Sequence, residues 1–213
     1  MKAVPSDSRS SLLSLGIRLS ILTIGWNALV GLGAFVSSVV DGSLSLAGLG
    51  LNMLIDTSAS AVLVWRFAKE RRDPEAAHRL ERWAQVWVGL AMLGVALYLA
   101  AQALRALIEG SHPTTSAVGI SLAGASLLVL PWLAGQKLRA ASLLRSDALR
   151  GDAILTAASV GLAAITLAAL LANSWLGWGW ADPAAALVIA GALLIEAGRM
   201  ASTRWRAPSS APT

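Results

Sequence analysis

An all-α, polytopic membrane protein built as a six-helix transmembrane bundle is predicted by three features of this chain. Its 213 residues are 56% hydrophobic and only 14% charged, whereas a soluble domain carries about a quarter charged residues. Its apolar residues fall into long runs of roughly the 17–25 residues that a membrane-spanning helix needs. Its basic residues crowd into alternate connections between those runs. High hydrophobicity excludes a disordered chain. The absence of cysteine excludes disulfide frameworks and thiolate metal sites.

The first run, 19–40, is uncharged. It starts too late and is too long for a signal-peptide core, so it is expected to be a retained span. The second, 44–65, contains one acid, Asp56. The third and fourth, 83–104 and 117–135, are uncharged, with Pro131 implying a kink in the fourth. The fifth is 153–173, and the sixth, 183–198, carries Glu196 near its end. Asp182-Pro183 reads as a helix start, with Asp capping free amides and Pro in the first turn. The transmembrane domain is thus expected over 15–200, with cytoplasmic tails at 1–14 and 201–213, the second disordered.

Of the 17 Lys and Arg residues, only Arg105 falls on one side of this arrangement. The other face gathers the flanks and two connections, including Arg66, Lys69, Arg79, Arg82, Lys137, Arg139, Arg145 and Arg150. By the positive-inside rule, both termini and both basic connections should face the cytoplasm. Juxtamembrane basic residues set topology and meet lipid headgroups, so the net charge of +5 gives no reason to expect a nucleic-acid partner. Trp65 and Trp83 flank the inner interface, and Trp175, Trp178 and Trp180 the outer one, as aromatic belts do.

Ionisable residues inside a span are costly and mark functional sites. Asp56 lies just past the middle of the second run, and Asn52, four residues earlier, shares its helix face. Two oxygen-bearing groups one turn apart suit a hard or borderline cation, or a proton relay. The competing reading is a pair that glues helices together by hydrogen bonds; a carboxylate is an expensive way to do so. On the fifth run, Asp152, Thr156 and Ser159 share one face. Asp152, at the expected helix start, is either a functional acid or a cap that complements the helix dipole. Asn27 and Gln85 read as interhelical hydrogen-bonders, Glu196 as solvated or paired with Arg199, and His78 and His112 as polar surface. No nucleophile–base pair or cofactor motif appears, so neither an enzyme nor a prosthetic group is expected.

Several segments together resemble the cation diffusion facilitator (cation efflux) superfamily. Gly42-Ser43-Leu44 followed by Gly50-Leu51-Asn52-Met53-Leu54-Ile55-Asp56 resembles its second helix, which carries two acids four residues apart. His78-Arg79-Leu80-Glu81 resembles the loop before its third helix. Ser146-Asp147-Ala148-Leu149-Arg150-Gly151-Asp152-Ala153 is similar to its fifth-helix entry, and Trp180-Ala181-Asp182-Pro183 to its sixth. The order matches over about residues 15–200, and the likeness is to short bacterial members without the C-terminal cytoplasmic domain. The resemblance implies a homodimeric antiporter that exports divalent metal, often zinc, against protons, through a site between helices two and five.

Carried onto this chain, that site comprises Asn52 in place of the first helix-two acid, Asp56 as the second, and Leu155 and Ser159 in place of a histidine and an aspartate. Asp56 is then the essential ligand and proton carrier, Asn52 and Ser159 are neutral oxygen ligands, and Asp152 is an inner-gate acid. The substituted helix-five positions leave open an alternative: a non-transporting membrane partner or regulatory subunit with the same fold.

Overall fold

The computed structural model describes residues 6–69, 74–110, 114, 117–144 and 147–205. Its described residues form α1 (Ser6–Asp41), α2 (Leu44–Lys69), α3 (Pro74–Glu109), α4 (Ala117–Leu144), α5 (Asp147–Leu176) and α6 (Ala181–Trp205). Helices are what apolar runs of this length must form, because in hydrocarbon every backbone N–H and C=O has to be satisfied within the segment. Within α1, α3, α4, α5 and α6 lie stretches long and apolar enough to cross a membrane. At 26 residues, or about 39 Å at 1.5 Å per residue, α2 also has the length. Its apolar stretch 46–63 carries one charge, Asp56, and the helix packs among α1, α3, α5 and α6.

The helices outrun the apolar runs. At the end where the basic residues collect, α1 already begins at Ser6 and α6 continues to Trp205. Arg79 and Arg82 lie on α3, Arg139 on α4 and Arg150 on α5, so the expected basic loops are largely helix ends. The His78–Glu81 segment likewise sits on α3, which starts at Pro74. α4 runs through Pro131. His112 and the tail from 206 onward lie outside the described residues, as do the side chains of His78 and Gln85.

The bundle is apolar outside and polar inside. Leu29, Val39, Val40, Ile108, Leu128 and Ile195 are exposed around the perimeter. Buried positions include Ser20, Asn27, Asn52, Asp56, Ser60, Lys137, Asp152, Ser159 and Asp182 beside the leucine and alanine core. Lipid tails solvate the outer residues, so helix association depends on close packing and interhelical hydrogen bonds. Such packing is tightest between α1 and α2. A Cβ on Gly50 would stand 2.8 Å from both Gly31 O and Phe35 N, and one on Gly31 would meet Gly50 O and Met53 Cβ at 3.1 Å. At the end opposite the basic one, Trp175, Trp178 and Trp180 are exposed, and Trp178 stacks on Trp180 at 5.5 Å.

α1 ends at Gly42, whose φ of 72° is the left-handed conformation of a helix C-cap, with its N–H bonded to Ser38 O at 2.9 Å. Ser43 then starts α2, accepting from Leu46 N at 3.2 Å. Asp182 marks the start of α6, but the hydrogen bonds its carboxylate accepts come from α2, not from its own helix. Leu44 N and Ser45 N donate to it at 2.7 and 3.4 Å, and the hydroxyls of Ser43 and Ser45 at 2.6 and 2.5 Å. One carboxylate thus caps α2 and locks it to α6.

Two stability changes follow, both readable as thermal unfolding of the purified protein in detergent. Gly50→Ala should push α1 off α2 at a cost of about 1–3 kcal/mol. Gly124→Ala, where a Cβ has no neighbour within 4 Å, should stay within about 0.5 kcal/mol of the parent. Asp182→Ala should cost about 3 kcal/mol, because two amides at the α2 N-terminus and two buried hydroxyls lose their acceptor together.

Candidate functional site

α2 and α5 pack face to face in the interior, and the helical repeat lines up their polar residues along the shared seam. Asn52, Asp56 and Ser60 recur every four residues on α2, and Asp152, Thr156 and Ser159 recur at four and three on α5. The side chains meet in two clusters.

The first joins Asn52, Asp56 and Ser159, all buried. Ser159 Oγ donates to Asp56 Oδ2. Asn52 Nδ2 donates to Ser159 Oγ at 2.9 Å and reaches Asp56 Oδ2 at 3.3 Å. Asn52, Asp56 and Ser159, three of the four residues expected as ligands, therefore meet in the structure. They form a closed set of oxygen-bearing groups around one carboxylate, chemically able to exchange their mutual hydrogen bonds for a cation or a proton. Leu155, at the position where the family pattern has a histidine, is partly buried against the apolar core.

Asp152 belongs to a second cluster. It is the sixth residue of α5, which begins at Asp147, so it is not the helix cap that was one reading of it. Its carboxylate gathers four helices. Ser60 Oγ of α2 donates at 2.6 Å, Ser20 Oγ of α1 at 3.4 Å, and Lys137 Nζ of α4 lies 2.6 Å away. Lys137 also donates to Thr156 Oγ1 at 3.1 Å, and that hydroxyl donates to Asp152 O at 2.9 Å.

Lys137 corrects the sequence reading. The sequence pattern places it in a cytoplasmic connection, whereas the structure buries it fully inside the bundle. Hydropathy drops at Gly135, which ended the expected span, whereas α4 continues to Leu144. The signal was present in the spacing: Leu130, Leu133, Ala134, Lys137, Ala140 and Ala141 form one helical stripe, every member of it buried. Ser20 and Ser60 were missed because single serines are common between membrane helices. Asn27 was expected to bond across helices. It is fully buried, and among the described residues neither its amide nor the indole Nε1 of Trp26 has a hydrogen-bond partner. Glu196 does pair with Arg199, at 3.6 Å.

Among the described residues, no group of three or more His, Cys, Asp or Glu side chains is placed to hold a metal ion. A cation at Asp56 would rest on one carboxylate with the Asn52 amide and the Ser159 hydroxyl. Such an all-oxygen set is unlike the N- and S-rich tetrahedral sites that zinc favours; carboxylate, carbonyl and water suit magnesium, calcium or manganese.

No curated protein matches the chain. The family model for the cation efflux transmembrane domain matches residues 18–206, which takes in all six helices except the first twelve residues of α1. With that span of its length matched, and with its polar residues meeting between α2 and α5, the chain belongs to the cation efflux family.

Proposed function

We propose that this chain is a secondary transporter exporting a divalent metal cation, of the zinc-like class, in exchange for protons through the α2–α5 seam. The observation that carries the reading is the closed Asn52–Asp56–Ser159 cluster at the centre of a bundle with an apolar exterior. Asp56 holds the cation in one half of the cycle and a proton in the other. Asn52 and Ser159 supply neutral oxygens to the cation and hydrogen bonds to the carboxylate when the cation has left. Their chemistry favours an oxygen-preferring ion such as Mn²⁺ or Mg²⁺ over Zn²⁺ within the divalent class. Alternating exposure of a midplane site by rocking of helix pairs is how such bundles move an ion without opening a pore. The Lys and Arg asymmetry supports a cytoplasmic basic end with both termini there, and family membership supports a homodimer in a bacterial inner membrane.

The alternative, a non-transporting partner or regulatory subunit, draws on Leu155 and Ser159 standing where the family pattern has ionisable ligands.

Flux of Mn²⁺, Mg²⁺ and Zn²⁺ into proteoliposomes under an imposed pH gradient separates the two readings. The parent should carry at least one of these ions. Asp56→Ala should slow that flux at least about 100-fold, equivalent to about 2.7 kcal/mol, and Asn52→Ala should do so less severely. Parent-like flux in Asp56→Ala would refute the mechanism. Absence of flux in the parent, with another membrane protein co-purifying, would favour the partner subunit.

A further inference from the structure

Four charged side chains are buried among the described residues: Asp56, Lys137, Asp152 and Asp182. Asp182 is committed to the α2 N-terminus, at the far end of the seam. The other three share the seam itself. Ser60, which bonds Asp152, lies one helical turn from Asp56 on α2, about 6 Å along the axis. Arg18, Arg139 and Arg150, the nearest basic residues in sequence on the surrounding helices, are exposed, and Glu196 on α6 is paired with Arg199.

We propose that Lys137 is a tethered cation that sets the charge stoichiometry of transport, by occupying Asp152 and leaving the seam with a single net negative charge. The inference rests on the transport reading above. The ammonium sits where a second substrate charge would otherwise be balanced: Nζ is 2.6 Å from Asp152 Oδ2 and 3.1 Å from Thr156 Oγ1, with no exposure to solvent. A seam carrying Asp56 and Asp152 alone would hold two negative charges. It would be neutral with one divalent ion and neutral again with two protons. With Lys137 in place the seam holds one negative charge. It returns to neutrality with one proton, and each divalent ion exchanged for that proton moves one net charge across the membrane. Lys137 is thus a stoichiometry-determining residue that acts through Asp152, not a ligand of the transported ion.

The test reads voltage dependence, which a merely structural ion pair would not set. The purified full-length protein is reconstituted in vesicles with a fixed pH gradient and a potassium-clamped potential. The ion is whichever of Mn²⁺, Mg²⁺ and Zn²⁺ the parent carries fastest. The parent's steady-state accumulation ratio should change about 50-fold per 100 mV, the effect of one charge. Lys137→Met should exchange two protons per ion, and its ratio should change less than about threefold over the same range. The double variant Lys137→Met/Asp152→Asn restores a single negative charge without a buried unpaired ion, so it should regain the parent's voltage dependence. It also carries the test if Lys137→Met alone does not fold. Voltage-independent accumulation by the parent, a folded Lys137→Met with the parent's voltage dependence, or a voltage-insensitive double variant would each overturn the inference. A parent with no flux of any of the three ions would instead refute the transport reading itself.

Discussion

A carboxylate buried among apolar helices costs several kcal/mol unless opposite charge and hydrogen bonds meet it, and at Asp152 that demand draws four helices together. Lys137 from α4 supplies the charge, Ser60 from α2 and Ser20 from α1 supply hydroxyls, and α5 presents the carboxylate itself. In lipid, burying leucine against leucine adds little driving force between helices. Directional contacts of this kind therefore fix which helix faces turn inward. The same constraint operates at the other end of α2, where Asp182 binds two amides and two hydroxyls. Between these two anchors, α2 is held in place along much of its length.

That restraint makes the placement of Asp56 meaningful. α2 carries Asn52 and Asp56 in the middle of an apolar stretch, and the neighbouring helices cover both. Gly31 on α1 and Gly50 on α2 let the two helices approach closely. The polar face of α2 turns instead toward α5, where Ser159 and Asn52 satisfy the Asp56 carboxylate. A site built this way is closed by hydrogen bonds among its own members. In the proposed transport cycle an ion entering the cluster replaces those bonds, which couples occupancy to helix packing.

The six helices were legible because apolar runs are long and their spacing is coarse. Asn52, Asp56 and Ser159 were legible because a four-residue or three-residue spacing on a helix places side chains on one face whatever the tertiary context. Lys137 was not. Hydropathy treats a lysine as the edge of a span, whereas a single long side chain matched to a carboxylate on a neighbouring helix can sit well inside. Asp152 was misplaced for a related reason: α5 starts at Asp147, five residues before the apolar run suggested. Asp182 shows a third limit. Its Asp-Pro sequence announced a helix start correctly, but only the fold reveals that its carboxylate serves the N-terminus of a different helix.

Asp56 is the proposed shared seat of cation and proton. That role is tested by counting protons released as a divalent ion binds the detergent-purified protein, with a pH indicator dye, in the parent and in Asp56→Asn. The variant keeps the shape of the site and a hydrogen-bonding group beside Ser159 but removes the charge. The account predicts about one proton released per ion bound by the parent over the pH range where Asp56 is protonated in the ion-free protein, and neither release nor binding in Asp56→Asn. Binding by Asp56→Asn with the parent's affinity and the parent's proton release would contradict it.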